Sequence, residues 1–240
     1  MFTIHPTPNP LEDAYTHLNT LLRGAQGKDI LLLLSGGSAL ALADHIDVSL
    51  LGKHVTISVL DERWTYELKD SNFAQLVARP FWQNALDANI SFIDPCPHEP
   101  EDVQDTAKRF DLALKHWHIT HRDGVVIATM GIGEDGHTAG ILPFPEDPEM
   151  FKVLFEHTST CVRGYTVPPA KNAHRKRMTV TLTYLNRHVH HAVVYVSGSN
   201  KKETLIALQT CTDHNAKTPA CILQEMMHAD IFTDNMITLQ

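Results

Sequence analysis

Apolar residues in this chain fall into short blocks separated by segments with a helical repeat. Residues 30–34 (Ile-Leu-Leu-Leu-Leu) and 124–130 (Gly-Val-Val-Ile-Ala-Thr-Met) are unbroken apolar runs, as strands buried on both faces require. Residues 55–60 form an alternating apolar strand, and residues 90–93 a shorter one. Leu11, Ala14, Tyr15, Leu18, Leu21 and Leu22 repeat with helical spacing. A second helix is predicted over 39–46 with Ser38 as its N-cap, and a third is capped by Ser71-Asn72 and stops near Pro80. A fourth, amphipathic, covers 99–117. Beyond residue 148 the pattern changes. A helix over 148–155 precedes three β-rich runs at 161–167, 178–184 and 192–196. Asn200 is placed to cap a helix starting at Lys201-Lys202, and residues 219–223 and 230–233 supply a short late segment and a terminal strand.

Strands alternating with helices predict an α/β fold, a doubly wound, mainly parallel, Rossmann-like sheet flanked by helices with a β-rich C-terminal part. No linker, repeat or low-complexity stretch divides residues 1–240, so a single domain is expected.

Composition narrows the function classes. Of 240 residues 43% are apolar and 20% charged, as in ordinary soluble globular proteins. The net charge of −8 supplies no global basic field for nucleic acid. An anionic substrate would need a local cluster of Arg, Lys and backbone N–H groups. The start Met-Phe-Thr-Ile-His-Pro lacks the basic and long apolar parts of a signal peptide, and no apolar run reaches membrane-spanning length. Cys96, Cys161, Cys211 and Cys221 form neither a C-x-x-C pair nor a disulfide-scaffold pattern and read as reduced thiols in a cytoplasmic protein.

Candidate chemistry sits where the strands end. The run 124–130 passes into Gly131-Ile132-Gly133-Glu134-Asp135-Gly136-His137-Thr138-Ala139. Its glycines let the backbone turn sharply and approach a ligand. His137 is of the residue type that exchanges a proton near neutral pH, and Asp135 lies two residues before it. Gly131, Gly133 and Gly136 also have dinucleotide-binding spacing, but Pro143, Pro145 and Pro148 leave no room for the helix such a site needs, and Glu134 and Asp135 would oppose the phosphates. Three further clusters end strands: Ser35-Gly36-Gly37-Ser38, Asp61-Glu62-Arg63 and Gly198 to Lys201. In a parallel sheet, strand ends of one polarity share one rim. The histidine runs at 116–121 and 188–191 lack the spacing of a zinc site and are expected at solvated helix ends and strand edges, with no metal bound.

In order, the chain carries Ser-Gly-Gly-Ser at 35–38, Asp-Glu-Arg at 61–63, Ser-Asn at 71–72, Met-Gly-x-Gly-x-Asp-Gly-His-Thr-Ala at 130–139, Arg-x-Thr-x-Thr at 177–181 and Gly-x-x-Lys at 198–201. With these segments it resembles the 6-phosphogluconolactonases, within the wider group that includes glucosamine-6-phosphate deaminases, and the resemblance implies the sheet arrangement called NagB/RpiA-like. Deaminases have Tyr where this chain has Arg63, and a glutamate five residues beyond the loop histidine, where this chain has Leu142. Both differences favour the lactonase.

The resemblance implies a cofactor-independent hydrolysis of 6-phospho-D-glucono-1,5-lactone, with His137 as the base that activates water and Asp135 orienting the imidazole. The phosphate would be held by N–H groups of Gly36, Gly37 and Ser38 with Arg63, Lys201 and Arg177. Ser35, Asp61, Asn72, Gly131, Gly133, Gly136 and Thr138 complete the expected binding site. The partner is then a small phosphorylated sugar lactone, not nucleic acid or membrane, bound by a monomer or small homo-oligomer. Two other readings stay open: an amino-sugar-phosphate deaminase-isomerase, and a non-catalytic sugar-phosphate sensor.

Overall fold

The computed structural model describes residues 2–211 and 215–237. Numbered along the chain, its main sheet has the order β1 (Phe2–Pro6), β10 (Ala229–Thr233), β9 (His191–Val196), β6 (Val125–Met130), β2 (Ile30–Leu34), β3 (Val55–Val59) and β5 (Ser91–Phe92). Every neighbouring pair is parallel. A second, antiparallel sheet is formed by β4 (Asp61–Arg63), β8 (Lys176–Val180) and β7 (Val162–Thr166), in that order. The helices are α1 (Pro10–Gly24), α2 (Asn72–Val77), α3 (Pro80–Asp87), α4 (Val103–Thr120), α5 (Pro148–Phe151), α6 (Leu182–His188) and α7 (Lys202–Gln209). The doubly wound α/β architecture is the one the alternation of patterns predicts.

Burial shows why. All five side chains of β2 are buried, and strand alternation sends them to two cores. Leu31 and Leu33 join one apolar cluster with Phe110, Leu114, Val162, Met178 and Val180, so the small sheet shares a core with the main one. Ile30, Leu32 and Leu34 join another on the opposite face, with Leu18, Leu22 and Leu42.

Several elements differ from the pattern-based expectation. β1 is an edge strand whose alternation buries only Ile4, too short a signal to stand out before its partner β10 is known. The segment expected as an α-helix over 39–46 is a 3-10 helix, Gly37–His45, entered from Gly36, and Ser38 makes no capping bond. The helix begun at Ser71 ends at Val77, and α3 starts afresh with Pro80 in its first turn. The run 178–184 is not all strand, because the Thr181 hydroxyl accepts from the Tyr184 N–H and caps α6. The helix expected over 148–155 widens after Phe151 into a π-helical turn, Lys152–Glu156. Asn200 caps nothing and donates to the Glu134 carboxylate instead.

The cysteine expectation is corrected. Cys211 and Cys221, ten residues apart, are joined by a disulfide, while Cys96 and Cys161 are free. A single pair with no motif spacing gives no sequence signal; it is the placement of the 3-10 helix Pro219–Gln224 that brings the sulfurs together. The histidines are also more enclosed than expected. The His118 imidazole packs 4.6 Å from that of His188 and hydrogen-bonds the Tyr184 hydroxyl at 3.1 Å. His190 accepts the Val126 N–H at 3.0 Å. Among the described residues no group of three or more His, Cys, Asp or Glu could hold a metal ion.

Two predictions follow from this packing. The buried Asp111 on α4 accepts the N–H groups of Cys161 and Val162 at the start of β7, at 2.5 and 3.2 Å. Asp111→Ala strands both donors and is expected to lower unfolding free energy by about 2–4 kcal/mol in urea titrations. The second concerns acid. Burial, then the neighbouring His188 and His190, push His118 from the ordinary 6.5 to about 4. Unfolding lets it bind a proton that the folded state refuses, so stability falls as pH drops through the window from about 6.5 to about 4. His118→Gln is expected to lose less stability than wild type between about pH 7 and about pH 5, read by the same titration.

Candidate active site

From β2 the chain moves outward to β3 and β5, then returns to place β6 on the other side of β2. The carboxyl ends of β2 and β6 therefore flank the point where the winding reverses, where open α/β sheets keep a crevice. The Ser35 N–H, just past β2, donates to Thr129 Oγ1 near the end of β6 at 3.1 Å and ties the two ends together. At Gly36 a Cβ would lie 2.3 Å from Asn72 Oδ1, so only glycine admits Asn72 there. Gly37 turns at φ +64° into the 3-10 helix, whose first N–H groups have no preceding carbonyl to bond.

The loop after β6 is held by its own polar groups. The Thr138 hydroxyl donates to the Gly131 carbonyl at 2.8 Å, and the Gly133 N–H to the His137 carbonyl at 2.8 Å. Asp135 Oδ1 accepts the His137 backbone N–H at 3.1 Å and lies 2.5 Å from Nδ1 of the same residue. In the neutral ring that contact puts the proton on Nδ1, facing the carboxylate, and leaves the lone pair on Nε2. Burial opposes ionisation of Asp135, yet the ring and backbone hydrogen bonds from His137 hold its carboxyl below the usual range. A Cβ on Gly133 would fall 2.0 Å from the His137 ring and 2.5 Å from Asp135 Oδ1. The imidazole thus rests on bare backbone.

The small sheet closes the crevice. Asp61 pairs with Thr179 and Arg63 with Arg177 across β4 and β8, and strand alternation puts these four side chains on one face. Arg177 NH2 meets Asp61 Oδ2 at 3.2 Å, and its Nε donates to the Gly140 carbonyl at 3.2 Å. Thr179 donates to the Ala139 carbonyl. Ala139 takes φ +46°, unusual for a residue with a Cβ, and Gly140 takes φ +69° where a Cβ would strike the Asp61 carboxylate at 2.4 Å.

These walls enclose a cleft of about 240 Å³. Of the expected residues, Ser35, Gly36, Gly37, Ser38, Asp61, Arg63, Asn72, Gly131, Gly133, His137, Arg177 and Lys201 line it. Asp135 stands behind His137. Thr138 is fully buried as a loop staple, and Gly136, at φ +81°, packs on Thr218, so neither faces the cleft. Ile132, Ala139 and Gly140 line the cleft without having been singled out. Gly140 had a signal, a glycine at the end of a glycine-rich loop, but the reason for it lies in the distant Asp61. Among the described residues neither Arg63 nor Lys201 has a carboxylate within ion-pair distance. Arg63 NH1 reaches only the Asp70 carbonyl, at 3.2 Å, and its Nε is buried without a partner among them.

The family model described as Glucosamine-6-phosphate isomerases/6-phosphogluconolactonase matches residues 12–232. The chain belongs to that family. It is 28% identical over 186 residues to a 6-phosphogluconolactonase of Xylella fastidiosa, covering 76% of this chain and 72% of the relative. It is likewise 28% identical over 211 residues to a 6-phosphogluconolactonase of Neisseria meningitidis, covering 84% and 86%. Among solved structures, the 6-phosphogluconolactonase of Trypanosoma brucei superposes with a TM-score of 0.73 at 17% identity over 97% of both chains. That of Shewanella baltica gives 0.70 at 23% identity, again over 97% of both. These superpositions show that the family's fold is this chain's fold.

The Asp135–His137 pair gives a steric prediction. Gly133→Ala is expected to displace the imidazole and abolish turnover, while thermal unfolding shifts by less than a core deletion would cause, roughly 1 kcal/mol or less. Circular dichroism melts beside a lactone-hydrolysis assay check both halves.

Proposed function

We propose that this family member opens 6-phospho-D-glucono-1,5-lactone to 6-phosphogluconate, with a water activated by His137. The observation that carries the reading is the cleft itself: a histidine whose Nε2 has no partner among the described residues, backed by a carboxylate, shares it with two cations that no described carboxylate neutralises. In a chain of net charge −8 such cations suit an anionic substrate.

In this mechanism the water oxygen attacks C1 as Nε2 takes its proton, and the carbonyl oxygen becomes an oxyanion. Collapse breaks the bond between C1 and the ring oxygen, which receives the proton from the imidazolium and becomes the C5 hydroxyl. The new carboxylic acid then ionises to solvent. Asp135 keeps the ring in the right tautomer and stabilises its transient charge. The Gly36, Gly37 and Ser38 N–H groups, Arg63 and Lys201 hold the phosphate. Arg177 is assigned first to the wall, since Asp61 and the Gly140 carbonyl fix its guanidinium through two of its five N–H donors. Grip on the remote phosphate orients the lactone for attack at C1.

The isomerase branch of the family is the weaker reading here. Its extra glutamate corresponds to Leu142, which is buried in an apolar cluster, so that position offers no proton-shuttling carboxylate. We place the enzyme in the cytoplasm, because a phosphorylated sugar carries charge that keeps it in the compartment where it is made. The Cys211–Cys221 bridge weighs against that placement, as disulfides persist mainly in oxidising compartments. The substrate's chemistry is the stronger argument.

The test is hydrolysis of freshly generated lactone by wild type and His137→Ala, corrected for spontaneous opening. Turnover is expected to fall by roughly 10²–10⁴ in the variant, the usual contribution of a general base, with 6-phosphogluconate still bound. Equal rates would remove His137 from its role, and an inactive wild type that binds sugar phosphate would make the protein a sensor.

A further inference from the structure

Strand alternation, which turns Asp61 and Arg63 toward the cleft, turns Glu62 the other way, into the protein. Apolar residues are the default there; a carboxylate with no exposed surface and no described cation within ion-pair range needs a reason. All of its acceptor capacity is used. Oε1 accepts the N–H groups of Arg63 and Asn72 at 2.6 and 2.8 Å. Oε2 accepts the Phe73 N–H at 2.7 Å and the Ser71 hydroxyl at 2.8 Å. One side chain thus joins the end of β4 to the first turn of α2.

That junction sets the cleft wall. Asn72, held by Glu62 through its backbone, donates its side-chain amide to the Asp61 carbonyl and carboxylate at 3.0 and 3.2 Å, and occupies the space over Gly36. Arg63, held through its own N–H, braces its guanidinium on the Asp70 carbonyl just before Ser71. Helix stability alone does not require a carboxylate at 62, because Ser71 already caps α2 by accepting the Ala74 N–H at 3.0 Å. We propose that Glu62 is a positioning residue that sets the phosphate-holding side of the cleft, acting through Arg63 and Asn72 without touching substrate. This rests on the lactonase reading above. Burial outweighs the four donors and raises the Glu62 pKa, so it is the geometry of four N–H and O–H groups aimed at its two oxygens that calls for a carboxylate here.

Glutamine at 62 keeps the shape but offers one acceptor oxygen, and turns an amide donor toward two of the four donors. The phosphate is remote from C1 and keeps its charge through the reaction, so a loosened but not abolished grip is read first in KM. Glu62→Gln is expected to raise KM for the lactone about tenfold or more, with kcat falling by less than about threefold, the scale of one lost charge-assisted hydrogen bond. Glu62→Asp, which keeps the charge but withdraws it by one methylene, should recover part of that loss. Asp111→Ala serves as the control for stability, since it weakens the fold away from the cleft and should leave KM unchanged. A folded Glu62→Gln with a lowered melting temperature and wild-type KM would overturn the proposal, as would a fall in kcat alone. If Glu62→Gln does not fold, Glu62→Asp is judged by the same KM readout. If wild type itself does not hydrolyse the lactone, the lactonase reading fails separately, and calorimetric binding of 6-phosphogluconate to the same variants decides. Affinity weakened about tenfold supports the role of Glu62, and unchanged affinity overturns it.

Discussion

A parallel sheet cannot reverse its winding without parting two neighbouring strand ends, and this molecule is built around that parting. β2 and β6 are hydrogen-bonded neighbours along their length, yet the chain leaves them toward opposite sides of the sheet. Their carboxyl ends accordingly carry the Ser35–Ser38 turn and the Gly131–Gly140 loop, facing each other with no crossing segment between them. The buried apolar runs that make these strands long-lived also make their ends rigid. Short polar loops anchored there inherit that rigidity.

The small antiparallel sheet completes what the main sheet leaves open. Its β4 and β8 strands present Asp61, Arg63, Arg177 and Thr179 on one face, and two of these bond the carbonyls of Ala139 and Gly140. The loop that carries His137 is therefore fixed at one end by β6 and at the other by the second sheet. Its middle is supported from outside as well: the Gly136 carbonyl accepts the Ala220 N–H at 2.9 Å, and the Glu134 carbonyl accepts the Thr204 hydroxyl at 2.7 Å. The histidine loop thus meets four other parts of the chain, and a Cβ at Gly136 or Gly140 would strike Thr218 or Asp61 there.

Charge is distributed to match. The protein is acidic as a whole, yet its cleft keeps Arg63 and Lys201 unneutralised by described carboxylates, while Arg177 is paired with Asp61. The three cations looked equivalent along the chain. All three line the cleft, but packing pairs only the buried Arg177 with a carboxylate, because a buried guanidinium needs partners within the protein.

The sequence by itself determined the sheet's inner strands, the parallel winding and the position of the histidine loop, because long apolar runs and glycine-rich turns are local signals with one physical solution. β1 escaped notice because an edge strand buries a single residue, Ile4, and is defined by its partner. The Cys211–Cys221 bridge and the enclosed His118–His188 pair depended on segments brought together only by folding. Within the site, the chain order named most of the lining residues but not their division of labour. That Thr138 staples the loop, that Gly140 makes room for Asp61, and that Glu62 faces inward to four donors are facts of tertiary contact. Residue type says what a side chain can bond, and only the fold decides which partner is within reach.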